Sequence, residues 1–148
     1  MTLVTASIDI DAPRDKVFQT VLDPGRLDEW VTIHRRVNDV DDGRPREGYK
    51  MEQTLHLRGA NFRVKWTITE LQPGRHVTWE GRGPAHSYTR TAYSVSDRDG
   101  HSTHFEYENE FNAPGGILGA AASRVIVGGV PQREANRSLL QLKALLER

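Results

Sequence analysis

The sequence contains no cysteine, and its 20 lysines and arginines are matched by 20 aspartates and glutamates. The absence of cysteine excludes disulfides, a thiolate nucleophile and zinc-thiolate sites. Because the charges cancel and form no long run of one sign, the field that attracts nucleic acid is missing. We therefore expect no nucleic-acid partner.

Long apolar runs are also missing. No segment approaches the roughly 20 apolar residues that cross a bilayer, and the amino terminus lacks a basic stretch followed by an apolar one. We expect a cytoplasmic protein without stable membrane insertion. The 148 residues fit one domain, spanning 1–148, with a substantial core or a thinner core around a cavity.

Most of the chain alternates apolar and polar residues with the period of two that is typical of half-buried strands. The pattern predicts seven strands, at 3–11, 32–40, 49–58, 62–69, 76–81, 86–96 and 103–112. Two short helices are predicted between the first and second strands, the first opened by Pro13 and ended by Asp23, Pro24 and Gly25.

A helical pattern closes the sequence at 116–148. Its apolar and small residues recur every three or four positions, which places them on one face: Leu118, Ala122, Val125, Gly129, Ala135, Leu139, Leu142 and Leu146. Gly128, Gly129 and Pro131 interrupt it, and glycine and proline cost about 1 and 3 kcal/mol inside a helix. We expect a kink or a break there.

Strands followed by a helix, without regular alternation, indicate an α+β domain. The long helix is the only element that could cover the apolar face of the sheet. A curved seven-stranded antiparallel sheet wrapped on this helix is expected, with a cavity between them if the inner side chains do not fill the gap.

The shared inward parity of several strands predicts which residues line this cavity. They are Trp30, Met51, Gln53, Leu55, Trp66, Trp79, Tyr107 and Asn109, with Gly129 on the helix. The alternatives are core packing for each tryptophan and a wet sheet edge for Gln53 and Asn109. Gly129 leaves room for a ligand or for a helix bend, or allows close packing on Trp66.

The histidines do not predict a metal site. His101 and His104 fall on opposite faces of a strand, and His34, His56 and His76 share parity with charged or polar residues. We expect no metal and no cofactor.

Catalytic residues are not identifiable from the sequence. Ser87 and Ser94 have no recognisable triad. His86 and Tyr88 could transfer protons if they face the cavity, the alternative being an exposed strand entrance. Tyr88 points out if Tyr93 pairs across from Phe105, but a slip of one residue would reverse this.

Several motifs, in this order and spacing, resemble the SRPBCC/START-like superfamily, which includes the birch-pollen allergen, and more closely its bacterial polyketide cyclase/dehydrase and lipid-transport members. The matching segments cover the chain from end to end: 8–18, Asp23-Pro24 through Leu27 to Trp30, Gly48, 70–79, 100–105 and 114–119. The resemblance implies a helix-grip fold that binds hydrophobic molecules between helix and sheet.

Three functions are compatible with this resemblance, because fold alone does not decide function. The first is a carrier of a lipid, polyketide or isoprenoid molecule. The second is an enzyme that cyclises or dehydrates such a molecule. The third is an interaction module that modulates a partner enzyme, and a protein partner or a homodimer stays open. The few polar residues with inward parity favour the carrier.

Overall fold

Seven strands form one open antiparallel sheet in the computed structural model, which describes residues 2–57, 59–112 and 129–148. Their order across the sheet is β1-β7-β6-β5-β4-β3-β2. The strands are β1 Thr2–Ile10, β2 His34–Val40, β3 Lys50–Leu57, β4 Ala60–Gln72, β5 His76–Arg82, β6 Tyr88–Asp97 and β7 Thr103–Asn112.

Short helices connect β1 to β2, as predicted. Helix α1 spans Arg14–Leu22 and begins directly after Pro13, whose fixed φ suits the start of a helix. A single 3₁₀ turn at Pro24–Arg26 follows, and Asp23 accepts a hydrogen bond from the Gly25 amide at 2.8 Å. Helix α2, Leu27–Trp30, then points Leu27 and Trp30 into the core.

Helix α3 spans Val130–Leu146. Its neighbour Gly129 has a φ of 83°, which is left-handed and ends helical geometry on that side of Val130. The predicted break is thus confirmed, and the C-terminal helix in the structure is shorter than the predicted 116–148. The part of the prediction at 116–128 lies outside the described residues.

Leucines of α3 provide the contact between helix and core. Leu139, Leu142 and Leu146 are buried in the same apolar cluster as α1, α2 and the inner face of the sheet. Polar bonds add to this contact, since Lys143 Nζ donates to the Asp9 carbonyl at 2.8 Å. The α+β helix-grip arrangement predicted from the sequence is confirmed.

Several strand boundaries differ from the prediction by one to three residues, and two of these differences have clear local reasons. Strand β4 is longer, and a register shift between Ile68 and Glu70 lets it continue along β5 to Gln72. Strand β6 begins at Tyr88 instead of residue 86, because residues 84–86 form a 3₁₀ turn in which Ala85 and His86 have positive φ. Across the described residues, we find no helix that is both long and apolar enough to span a membrane.

Candidate functional site: a cavity between the sheet and α3

A cavity of about 250 Å³ lies between the inner face of the sheet and helices α2 and α3. Its described lining is mostly aliphatic and aromatic. The structure brings together eight of the nine predicted site residues around it: Trp30, Met51, Gln53, Leu55, Trp66, Trp79, Tyr107 and Asn109. Their role in binding remains a prediction.

Gly129, the ninth predicted site residue, is not among the described residues that line this cavity. It is exposed, and a Cβ atom added to it would lie more than 4 Å from every described residue apart from its neighbours in the chain, Trp66 included. The left-handed backbone at the start of α3 explains the glycine. Of the readings of Gly129, the structure therefore favours the bend in the backbone.

The first polar group at the cavity is a chain of three side chains that we call the closed polar set: Gln53 and Trp66, which line the cavity, and His34, which lies outside the described lining and bonds to Gln53. Gln53 is buried on β3. Its Oε1 accepts from Trp66 Nε1–H at 2.9 Å, and its Nε2 lies 2.8 Å from His34 Nδ1. Both ends of the buried amide have partners, so its burial carries little desolvation cost.

His34 belongs to this set because β2 is irregular. Register shifts separate His34 from Arg36 and Val37 from Asp39, and such bulges re-aim side chains. His34 pairs with Leu55 and meets Gln53 on the inner face, against the predicted outward parity. Burial lowers its pKa, opposed by Asp28. Neutral His34 accepts at Nδ1 from the Gln53 amide.

A second polar group interrupts the apolar wall on β6 and β7. We call it the open polar set: Thr89, Thr91, Tyr93, Tyr107 and Asn109. Asn109 Nδ2 donates to Thr89 Oγ1 at 2.8 Å and to Thr91 Oγ1 at 2.9 Å, and it lies 3.2 Å from the Arg90 carbonyl. Asn109 is therefore held by the sheet itself and not by a wet edge.

The two tyrosines of the open polar set pair across the strands. Tyr93 and Tyr107 stack with ring centroids 6.0 Å apart and line the cavity. Burial strongly raises the pKa of both hydroxyls, with Tyr107 adding to the effect on Tyr93. Both remain protonated near neutral pH, and each hydroxyl can therefore donate a hydrogen bond.

Gly81 on β5 separates the two sets. It pairs with Trp66 on one side and with Thr89 on the other. A Cβ atom at Gly81 would lie 2.7 Å from side-chain carbons of both Val64 and Thr89, and 2.8 Å from Trp66 Cε3. Only glycine leaves room beside the β5 backbone for these three side chains, all of which line the cavity.

Trp30 forms part of the opposite wall. Its Nε1 is buried, and none of the residues described in the structure accepts a hydrogen bond from it. The indole meets Tyr93 at 5.6 Å and Phe105 at 6.2 Å in edge-to-face geometry, which suits aromatic quadrupoles. Trp30 thus packs as a core aromatic while also bordering the cavity.

Polar contacts between Thr32 and α3 lie beside the cavity. Thr32 Oγ1 lies 2.5 Å from Glu134 Oε2, and the Thr32 amide donates to Ser138 Oγ at 3.0 Å. Glu134 and Ser138 line the cavity from α3. These bonds fix the segment after α2 against the helix.

Of the two residues considered for proton transfer, Tyr88 contributes to the described cavity lining and His86 does not. His86 is exposed on the turn before β6. The hydroxyl of Tyr88 donates to Glu80 Oε1 at 3.0 Å, and Arg82 lies over its ring, both on the outer face of the sheet. Tyr93 pairs with Tyr107 and Val95 with Phe105, which keeps the parity that points Tyr88 outward.

Residues 1–147 match the family described as polyketide cyclase / dehydrase and lipid transport. The chain belongs to this family. Among curated proteins, the toxins Rv0910 and MT0934, from two strains of Mycobacterium tuberculosis, are each 25% identical to it over 129 residues. The alignment covers 84% of this chain and 89% of each toxin.

Solved structures similar to this polyketide cyclase/dehydrase family member share its fold. The Zhui aromatase/cyclase from Streptomyces sp. R1128 is 17% identical with a TM-score of 0.81, over 99% of this chain and 94% of that one. The Aha1 dimer from Colwellia psychrerythraea is 19% identical with a TM-score of 0.65, over 99% and 97%. At these identities the likeness concerns the fold alone.

Proposed function

We propose that this family member binds an apolar small molecule in the cavity between the sheet and α3. The observation that carries the proposal is a mostly apolar cavity whose walls come from both the sheet and the helices. Its volume of about 250 Å³ is slightly below the roughly 300–1,000 Å³ of ordinary ligand pockets.

Binding without chemistry is favoured over cyclisation or dehydration. Such reactions need an acid and a base whose pKa values lie near the working pH. Among the described lining residues, Tyr88, Tyr93 and Tyr107 all have pKa values raised above the ordinary value of tyrosine, and the remaining ionisable side chain is that of Glu134. We therefore propose a carrier or sensor of the ligand.

The proposal is tested by filling the cavity. Ala135 lines it from α3 and is buried, whereas Ala144 lies exposed on the same helix. Ala135→Leu should occupy ligand space and abolish uptake of an apolar fluorescent probe while keeping the melting temperature. Ala144→Leu is the matched control and should bind the probe like the parent. A native mass spectrum of freshly purified protein should show retained apolar molecules that Ala135→Leu lacks.

Other outcomes would redirect or reject the proposal. If Ala135→Leu destabilises the protein by about 1–3 kcal/mol, the expected cost of overpacking, the site is already filled. If the parent takes up no probe and retains no molecule, ligand binding at this cavity is wrong. Conversion of a retained polyketide-like molecule to a product of different mass would favour the enzyme.

A further inference from the structure

The open polar set has hydrogen-bonding capacity that the described residues do not use. The two N–H groups of Asn109 are directed to the oxygens of Thr89 and Thr91 and to a main-chain carbonyl. Because both threonine oxygens accept there, their own O–H hydrogens stay available. No described residue donates to Asn109 Oδ1. The set therefore offers both an acceptor and donors.

Tyr93 and Tyr107 add two further donors. Neither hydroxyl hydrogen-bonds to a described residue, and both tyrosines line the cavity. A buried polar group without a partner costs about as much as a lost hydrogen bond, and a polar ligand atom would remove that cost. The closed polar set has no comparable vacancy at Gln53, since both ends of its amide have partners.

The charge of the described lining limits what could bind there. It contains no lysine, arginine or histidine, and Glu134 is its one carboxylate. An anionic head group would meet no cation from these residues, and burying an unpaired charge is far more costly than burying a hydroxyl. A neutral ligand fits this lining better than a fatty-acid carboxylate or a phosphate.

From these observations we infer that the ligand is an uncharged apolar molecule carrying a hydroxyl group, and that this hydroxyl binds at the open polar set. The ligand O–H donates to Asn109 Oδ1, and its oxygen accepts from threonine or tyrosine hydroxyls. A hydroxyl uses both capacities at once. The apolar body lies along the aliphatic and aromatic wall. This inference rests on the proposed function, whose cavity it uses.

The test compares three molecules of one shape: naphthol, methylnaphthalene and naphthoate, substituted at the same ring position. Binding is measured by calorimetry at pH 7, where naphthol is neutral and naphthoate is charged. We expect naphthol to bind about three- to thirtyfold more tightly than methylnaphthalene, as one or two neutral hydrogen bonds provide. Naphthoate should bind at least about tenfold more weakly than naphthol.

Conservative variants then locate the hydroxyl. Tyr93→Phe and Tyr107→Phe should each reduce naphthol affinity by about two- to tenfold and leave methylnaphthalene affinity unchanged. Tyr49→Phe is the matched control, since Tyr49 is also a buried tyrosine but lies outside the described cavity lining. Thr91→Val provides an independent removal of a hydroxyl if a tyrosine variant fails to fold, and it should also weaken naphthol selectively.

The outcomes separate the two proposals. If none of the three molecules binds, the cavity itself is not a binding site and both proposals fail. If methylnaphthalene binds as tightly as naphthol, or naphthoate binds as well as either, the neutral-hydroxyl inference is overturned while the apolar site stands. Equal losses for both neutral ligands in the tyrosine variants would also overturn it, because they would indicate a change of shape.

Discussion

The closed and open polar sets deal differently with the same problem, a side-chain amide on an apolar sheet face. Gln53 has partners at both ends, one from β4 and one from β2. Asn109 has acceptors for its N–H groups and no described donor for its oxygen. A fully satisfied network rigidifies a core, whereas a partly satisfied one keeps capacity for another molecule. The difference suggests that the first set serves stability and the second serves recognition.

The largest loss of stability is expected from a variant that removes only apolar burial. Leu142 on α3 is fully buried and belongs to neither polar set. Leu142→Ala should destabilise the protein by about 2–5 kcal/mol, the usual range for a buried leucine. Urea unfolding measures it. A midpoint that barely moves would show that α3 is not docked there.

Gln53→Leu tests the closed set and should have the next largest effect. It leaves the Trp66 indole N–H without its partner, at a cost of about 1–3 kcal/mol. Asn109→Leu should cost less, about 0.5–1.5 kcal/mol, because each threonine oxygen that loses the Asn109 N–H donor belongs to a hydroxyl that can still form a hydrogen bond through its own O–H. Urea unfolding of both variants measures the difference.

A double-mutant cycle with Trp66→Phe sharpens this contrast. Gln53→Leu and Trp66→Phe remove the two partners of one bond, so their effects on stability should not add. Asn109→Leu and Trp66→Phe should add within about 0.5 kcal/mol if the two sets are independent. If Gln53→Leu and Asn109→Leu lower the free energy of unfolding equally, the closed and open polar sets do not differ in their contribution to stability.

Gly129 provides a variant outside both sets. Its φ of 83° is unfavourable for residues with a Cβ, so Gly129→Ala should cost about 1–2 kcal/mol although space is available around it. Probe uptake should be unchanged, since the residue is not among those seen to line the cavity. Gly129→Asn should cost less, as asparagine tolerates this conformation better. Loss of probe binding in Gly129→Ala would show that this residue contributes to the binding site.

The smallest expected effect is a pH dependence of the free energy of unfolding. It comes from two histidines whose pKa values are shifted in opposite directions. Burial lowers the pKa of His34 from its ordinary 6.5, whereas Asp9, at 2.7 Å, raises that of His104, with Glu106 acting in the same direction. As pH falls below 6.5, His34 is protonated in the unfolded chain before it is protonated in the folded protein. The free energy of unfolding therefore decreases until the pH has fallen past the lowered pKa of the folded state. The contribution of His104 is present below 6.5 and is lost as pH rises through its raised pKa.

Histidine ring signals in an NMR titration resolve the two contributions, which overlap in a global measurement. Asp9→Asn should bring the pKa of His104 back towards 6.5 and leave that of His34 unchanged. A His34 pKa at or above 6.5 would contradict the burial of His34 against Gln53. It would indicate that the closed polar set lacks this hydrogen bond.

Most of the fold could be predicted from the two-residue period of the strands and from the residues that form turns. An alternating strand exposes every second residue to one face, so Met51, Gln53 and Leu55, and separately Tyr107 and Asn109, could be assigned to the same wall without knowledge of pairing. His34 could not, because two bulges in β2 change which face its side chain reaches. Nothing in the local sequence marks those bulges.

The hydrogen-bond partners of the inward-facing residues could not be predicted from the sequence either. That Asn109 meets Thr89 and Thr91 depends on the register between β6 and β7, and the sequence allowed slips there. That Gln53 meets Trp66 depends on side-chain directions across β3 and β4. The sequence thus identified polar residues on the wall but not which of them were already satisfied.

The position of β1 has a consequence for the order of folding. This first strand pairs in the sheet with β7 and packs against α3, so both its partners come from the last third of the chain. During synthesis β1 must wait, unpaired, while the other strands emerge and form their sequential hairpins. Closing so long a loop is entropically costly and slows folding. We expect the meander β2 to β7 to assemble first, with β1 and α3 joining together in a late step that closes the core.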